Sequence, residues 1–166
     1  MELFVPNQKQ NYLSSMNIYC DSNQKKDKHT EKENYFIEQG YTIIRQRLKV
    51  GDYMLDLNDK ISVDTKQNME ELCSNLFDKE DSKRFIRECI RAKKNHIKLV
   101  FLIEEPITEE TIPNITLGNA EHKMIIKSSQ IKERIKYFKK MYGVRFLFCA
   151  KDRVGAKIID VLRNRE

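Results

Sequence analysis

The sequence predicts an α/β domain in which a central mixed β-sheet is flanked by helices. Two observations carry this prediction. Residues 97–103 and 144–149 are almost continuously apolar, as in strands that are covered on both faces. Around them, apolar residues recur with helical spacing over 128–142 and 153–162, so that strands and helices alternate along the chain.

The N-terminal part of the chain adds an arm, a strand and a helix. Residues 1–15 mix polar and apolar side chains without a clear period, so we treat them as an arm that precedes a single domain over 16–166. A short strand is predicted over 16–20. The run Thr-Glu-Lys-Glu at Thr30 can begin a helix that Gly40 ends. The inner face of this helix is predicted to hold Tyr35, Phe36 and Gln39.

A second strand is predicted over residues 41–48, and it carries two arginines. Because side chains alternate along a strand, Arg45 and Arg47 share one face. They are candidate contacts for phosphate groups. The alternative is that they keep an exposed sheet edge soluble.

The stretch from Gly51 to Lys66 carries the candidate catalytic residues. If residues 61–66 form a strand, Asp64 and Lys66 project from the same face, about 7 Å apart at the backbone. Asp52 directly follows Gly51, and a short polar turn separates its segment from the strand. The two segments together predict a hairpin.

The length of that turn decides whether the two aspartates face each other. A two-residue loop at 58–59 would set Asp52 opposite Thr65 and away from Asp64. An odd-length loop or a bulge sets Asp52 opposite Asp64, because a one-residue slip moves every side chain to the other face. If Asp52 and Asp64 belong to one site, the turn between their segments is therefore not a plain two-residue loop.

These residue types suit the hydrolysis of a phosphodiester. Carboxylate oxygens hold Mg²⁺ or Mn²⁺, and water and the substrate phosphate complete the coordination shell. A neighbouring lysine can hold the attacking water and stabilise the charge that develops. Asp52 and Asp64 are therefore the candidate metal ligands, and Lys66 is the candidate water-orienting group.

Helices and one long loop are predicted after the hairpin. Helical spacing predicts helices over 68–76, from 81 or 82 to about 95, and over 128–142. Residues 106–124, rich in Thr, Asn, Pro and Gly, predict a long loop of low regularity. In the helix that ends at about residue 95, the predicted buried positions are Phe85, Cys89 and Ile90. In the helix over 128–142, they are Ile131, Ile135, Phe138 and Met141.

Composition narrows the classes of function. The 166 residues are 40% hydrophobic and 34% charged, as in a folded globular domain, and no apolar run is long enough to span a bilayer. The net charge of +6 fits DNA as a partner, although many basic proteins do not bind DNA. The absence of a P-loop or a dinucleotide fingerprint argues against a nucleotide cofactor.

Buried free thiols are predicted for Cys20, Cys73, Cys89 and Cys149. Solvated surface positions are predicted for His29, His96 and His122.

An ordered set of segments resembles a known family. The pattern GDYM…VDTK resembles the core motif of the XPF-type nuclease domain of the PD-(D/E)XK superfamily, particularly its stand-alone versions from phages and prophages. The segments IYCD, MEEL…NL, RFIRECIRAK, KLVFLIEE and YGVRFLFC follow the same order as in that family. Two positions depart from the eukaryotic pattern: Asn23-Gln24 replaces Arg-Glu, and Asp64-Thr65-Lys66 replaces Glu-Arg-Lys.

The resemblance implies a restriction-endonuclease-like fold and a Mg²⁺- or Mn²⁺-dependent DNA endonuclease directed by DNA structure, such as a flap, a nick or a branch. It also implies that the Thr65 carbonyl is a further metal ligand and that Asp21 and Glu71 are supporting acids. Glu70 is an alternative to Glu71, and a turn residue is the alternative role for Asp21. Arg84 is expected beside the DNA, where Glu88 would brace it.

Three further expectations concern function in the cell. A Holliday-junction resolvase is the alternative activity, and a non-catalytic module that binds DNA or protein is the alternative class. The chain lacks the helix-hairpin-helix module typical of XPF-type enzymes, so a homodimer or a DNA-targeting partner protein is expected. The expected location is the cytoplasm of a bacterial cell, with a phage gene as one of the sources that the resemblance suggests.

Overall fold

A six-stranded mixed β-sheet forms the centre of the structure, a computed structural model that describes residues 16–164. The predicted arm over 1–15 lies outside the described residues. The strands are β1 Met16–Asp21, β2 Tyr41–Gln46, β3 Tyr53–Met54, β4 Ile61–Lys66, β5 Lys98–Ile103, β6 Ile115–Gly118, β7 Lys123–Ile126 and β8 Arg145–Phe148. The sheet has the strand order β2-β1-β3-β4-β5-β8, and a separate hairpin pairs β6 with β7.

Helices cover both faces of the sheet, which confirms the predicted fold class. One apolar cluster joins α2, α3 and α4 to the sheet, and a second joins α1 and α5 to its other face. Short 3₁₀ turns precede α1 and α5, at Lys26–Lys28 and Lys151–Arg153. The helices are α1 Thr30–Glu38, α2 Met69–Phe77, α3 Lys79–Lys94, α4 Ser128–Tyr142 and α5 Val154–Leu162. None of the helices within 16–164 combines the length and the apolar character needed to cross a bilayer.

One strand runs against all the others in the sheet. β1 is parallel to β2, and β4, β5 and β8 are parallel to one another. β3 is antiparallel to both of its neighbours, β1 and β4. The C-terminal ends of β1, β4 and β5 therefore meet the N-terminal end of β3 along one side of the sheet, where these strands end. We call this side the site edge of the sheet.

Two predicted element boundaries are wrong. The predicted loop over 106–124 contains β6 and the start of β7, whose Ile115 and Ile126 pack into the larger core cluster. Helix α3 begins earlier than predicted because Asp78 caps it: its carboxylate accepts hydrogen bonds from the N–H groups of Glu80 and Asp81, both at 2.9 Å.

Three predicted buried positions are exposed. Ile90 and Met141 are 38% and 43% exposed, and Gln39 at the end of α1 is exposed as well. Ala92 is buried on α3, and the charged Lys32 is buried on α1, where an ion pair compensates its charge. Apolar spacing alone does not show which residues at the margins of the apolar stripe of a helix are buried.

The four cysteines are free, as predicted, and Cys20, Cys73 and Cys89 are buried, but Cys149, which was also predicted to be buried, is partly exposed. Burial raises the pKa of Cys20, Cys73 and Cys89 to about 12, and that of the partly exposed Cys149 to about 11.

Since the thiolate is the reactive form, iodoacetamide at pH 8 is expected to alkylate Cys149 first and to spare the other three. Mass spectrometry of the labelled protein checks this, with urea-unfolded protein as the control in which all four react. Early labelling of a buried cysteine would contradict the structure.

Candidate active site

Charged residues from four segments lie at the site edge of the sheet, where the start of β3 meets the ends of β1, β4 and β5. Asp21 ends β1, and Asp52 directly precedes β3. Lys66 ends β4, and Glu104 directly follows β5, with its N–H donating to the Lys66 carbonyl at 2.9 Å. The topology therefore brings together residues that lie far apart in sequence.

The prediction that the turn before β4 is not a plain two-residue loop is confirmed. Tyr53 pairs with Val63 across the antiparallel strands β3 and β4, and Asp52 and Asp64 directly flank this pair on their strands. The N–H of Asp52 donates to the Val63 carbonyl at 2.7 Å. Six residues, 55–60, connect the two strands, so the turn is not a plain two-residue loop.

Gly51 allows the chain to approach β4 closely before Asp52. Its φ of +71° lies in the left-handed region, and a Cβ at this position would meet Ser62 Oγ at 2.2 Å. The Gly51 N–H donates to Glu88 Oε1 of α3 at 2.9 Å. Glu88 therefore holds the backbone beside Asp52, and the expectation that it braces Arg84 is wrong.

Hydrogen bonds to two strands fix the position of Asp52. Its Oδ2 accepts from the Thr65 N–H and from Thr65 Oγ1, both at 2.9 Å. Its carbonyl accepts from the Asp21 N–H at 2.8 Å and from Gln24 Nε2 at 2.9 Å. The carboxylate is thus anchored through one oxygen to the strand that carries Asp64.

Asp64 and Lys66 form a buried ion pair on the same face of β4, as predicted by alternation. Lys66 Nζ lies 2.6 Å from Asp64 Oδ1, and the two side chains are 11% and 10% exposed. Burial alone would lower the pKa of Lys66, but the nearby carboxylates, that of Asp64 first and then those of Asp52 and Glu88, together outweigh burial and raise it. Lys66 is therefore a charged group that compensates a buried carboxylate.

The donor atoms at this edge fit a hard divalent cation. Asp64 Oδ1 is buried and, among the described residues, accepts no hydrogen bond of normal geometry besides its ion pair with Lys66. Residues 16–164 contain no convergent group of three or more His, Cys, Asp or Glu side chains. A cation at this edge would therefore rely on Asp52, Asp64 and the Thr65 carbonyl, with water and substrate oxygens completing its shell.

One cavity of about 180 Å³ contains all five predicted catalytic residues and the predicted ligand Thr65. We name it the site cavity. Its lining residues are Asp21, Asn23, Gln24, Lys28, His29, Lys32, Asp52, Asp64, Thr65, Lys66, Gln67, Glu71 and Glu104.

The supporting acids occupy different positions in the site cavity. Asp21 Oδ1 accepts from the Leu48 N–H at 2.9 Å. Glu71 Oε2 accepts from the Gln67 N–H at 2.8 Å, whereas Glu70 is exposed and does not line the cavity. Of the two acids left open by the sequence, Glu71 is the one that the fold places at the site.

The predicted DNA-contacting arginines lie outside the site cavity. Arg84 forms an ion pair with Asp81 and lines a neighbouring cavity of about 240 Å³ that shares Lys66 and Glu71 with the site cavity. Arg45 lies 2.5 Å from Glu33, and Arg47 lines a separate cavity. Arg84 is therefore the arginine that the structure brings next to the site.

Three buried residues of the site cavity were not among the predicted site residues. His29 was predicted on the surface, but it is buried, with Nδ1 2.5 Å from the hydroxyl of Tyr53, and burial lowers its pKa. Lys32 and Glu104, also buried, form an ion pair across the cavity wall. Each partner lies at least 24 residues away in sequence, so local pattern carried no signal for these contacts, apart from the position of Glu104 at a strand end.

Comparison with known proteins identifies the family. The model of the ERCC4 domain matches residues 21–162. Two solved structures of XPF from Aeropyrum pernix, one of them in complex with DNA, share the fold with a TM-score of 0.62 at 16% and 15% sequence identity. The match covers 90% of this chain and 64% of each XPF chain, so the chain spans less than two thirds of the protein that it resembles. A search of curated protein sequences gave no match. Because the family model covers most of its length, the chain belongs to the ERCC4 domain family.

Proposed function

We propose that the protein is a divalent-metal-dependent DNA endonuclease that recognises the structure of its substrate, such as a flap, a nick or a branch. The observation that carries this proposal is that Asp52, Asp64 and Lys66 line one cavity, in which Lys66 is paired with Asp64. Membership of the ERCC4 domain family supports it. The DNA complex of the related XPF supports DNA as the substrate.

Each residue of the site has a distinct role in the proposed reaction. A bound Mg²⁺ or Mn²⁺ supplies Lewis-acid activation of a phosphate oxygen and of water. Asp52 and Asp64 hold the cation together with the Thr65 carbonyl, and the two hydrogen bonds from Thr65 keep the Asp52 carboxylate in place. Lys66 orients the attacking water and stabilises the developing negative charge.

Asp21, Glu71 and Arg84 act around this centre in the proposal. Asp21 fixes the loop before β3, since its side chain accepts from the Leu48 N–H and its own N–H donates to the Asp52 carbonyl. Glu71 lies beside Lys66 in both cavities. Arg84, with its side chain 72% exposed, contacts the DNA backbone next to the site.

The proposal extends to the domain and its partners. Residues 16–166 act as one nuclease domain, with the arm over 1–15 outside it. DNA engagement is completed by a second copy of the chain or by a DNA-targeting partner protein. The bacterial cytoplasm, with a phage gene as one source, is the proposed setting.

Cleavage of labelled DNA tests the proposed function. Duplex, flap, nicked and four-way-junction substrates are incubated with Mg²⁺, with Mn²⁺ or with EDTA. Cutting is expected with either metal and is expected to vanish in EDTA, since the cation supplies the activation of phosphate and water that the reaction requires. Preference for four-way junctions would assign a resolvase. Binding without cutting under both metals would favour a non-catalytic module.

A further inference from the structure

Lys32 is a buried cation in the first turn of α1, and the role of this residue is unassigned. Lys32 is 6% exposed, and its partner Glu104 is 7% exposed. The ammonium forms an ion pair with Glu104 Oε1 and donates to the Lys28 carbonyl at 3.1 Å. An ammonium has three N–H donors, so these contacts leave one of them for a ligand.

The pair lies in the wall of the site cavity. Lys32 and Glu104 line both the site cavity and a second cavity of about 410 Å³ beside the start of α2. The N–H of Glu104 donates to the carbonyl of Lys66 at 2.9 Å. The Lys32 ammonium is therefore held at the same end of the sheet as Lys66.

Stability alone does not account for a buried ion pair in this place. Removing two charges from water costs about as much as their attraction returns, and apolar residues of similar size often serve as well or better. This pair lies in the wall of a cavity, where its ammonium can meet a ligand. A fixed cation with a spare donor suits an anion that has oxygen acceptors.

The charge of the site cavity shows where such a cation is needed. Five carboxylates line the cavity against three lysines. A phosphate that enters it meets a negatively charged wall unless cations are directed at the phosphate oxygens. The second cavity, lined by three carboxylates and three lysines, has no such excess of negative charge.

We propose that Lys32 binds a phosphate oxygen of the DNA strand at the site cavity, and that Glu104 is the positioning residue that orients its ammonium. The proposal rests on the proposed function, since it assigns a substrate contact within the same site. It adds a DNA-binding lysine from α1 to the candidate residues of β4 and α3.

A charge-free replacement of the pair tests this proposal without leaving a buried charge unpaired. The double variant Lys32→Met/Glu104→Leu is expected to keep its thermal stability, because neither partner is left behind. Binding of flap DNA in EDTA, measured by fluorescence anisotropy, is expected to weaken about tenfold or more, as for the loss of one charged hydrogen bond. The slope of log K against log salt is expected to fall by about one, since one phosphate contact is lost.

Two further variants sharpen the result. Glu104→Gln keeps the ammonium and an acceptor oxygen that can orient it, and it removes a negative charge, so tighter DNA binding is expected. Lys139→Met/Glu109→Leu removes an ion pair of the same types that lines none of these cavities, and it serves as the matched control. If Lys32→Met/Glu104→Leu does not fold, Lys32→Gln/Glu104→Gln gives the same readout with polar neutral groups.

The outcomes separate this proposal from the proposed function. Wild-type binding and an unchanged salt slope in the double variant would overturn the role of Lys32 while leaving the nuclease intact. Weakening by Glu104→Gln as large as that of the double variant would also overturn it. A wild-type protein that neither binds nor cuts any DNA would overturn both proposals.

Discussion

Replacement of Asp64 by asparagine is expected to reduce metal-dependent cleavage by at least about 10²-fold, the size of effect seen when a group that stabilises transition-state charge is removed. The amide is a weak ligand for a hard cation, and one of the two carboxylates at the proposed centre is lost. Lys66→Met is expected to lower the cleavage rate by about 10² to 10⁴, as for a general acid or base. Single-turnover cleavage of the preferred DNA substrate measures both effects.

Stability must be separated from chemistry in these variants. Asp64 and Lys66 are buried partners, and removing one member of such a pair costs about 3–5 kcal/mol. The double variant Asp64→Asn/Lys66→Met leaves no unpaired charge, so it is expected to be better folded than either single variant and still inactive. Asp160→Asn on the exposed face of α5 is the control with the same chemical change. Wild-type cleavage rates in the folded double variant would place the catalytic site elsewhere.

Gly51→Ala is expected to destabilise the protein by about 2–5 kcal/mol, the sum of a left-handed backbone penalty and a steric clash. The new Cβ would meet Ser62 Oγ at 2.2 Å and the Val63 carbonyl oxygen at 3.0 Å. The backbone must then move away from β4, and Asp52 moves with it. Urea unfolding measures the loss of free energy, and cleavage assays below the unfolding transition report the displacement of Asp52.

Gly40 provides a matched control for Gly51. Its φ of +83° is also left-handed, but a Cβ there would have no neighbour within 4 Å. Gly40→Ala is therefore expected to cost about 1–2 kcal/mol for the backbone alone and to leave cleavage unchanged. Equal losses in the two variants would show that the contact with Ser62 has no energetic weight.

The sequence contained enough information to place Asp64 and Lys66 together. Side-chain alternation gives their shared face, and this rule acts over a short distance along the chain, so it holds before the tertiary structure is known. The register of Asp52 depended on the length of the turn before β4, which the sequence left open.

The remaining site residues depend on contacts that no local rule predicts. Lys32 lies in a strongly charged run that is typical of a solvated helix face, yet it is buried because Glu104 reaches it from β5. His29 is buried by Tyr53 across 24 residues. The burial of a polar side chain depends on its partner, and the partner is known only once the strand order is known.

The strand order of the sheet also has a consequence for synthesis of the protein. β5 lies between β4 and β8, and β8 pairs with β5 alone in the described sheet. A ribosome therefore releases Asp52 and Asp64 long before the last strand of the sheet exists. Contacts that bridge many residues form slowly, and α5, which covers the face carrying Tyr53 and Val63, is made later still. A nascent chain thus carries the two aspartates without the finished scaffold that holds them, so the proposed cutting activity is expected to appear only after nearly all of the described chain has been translated.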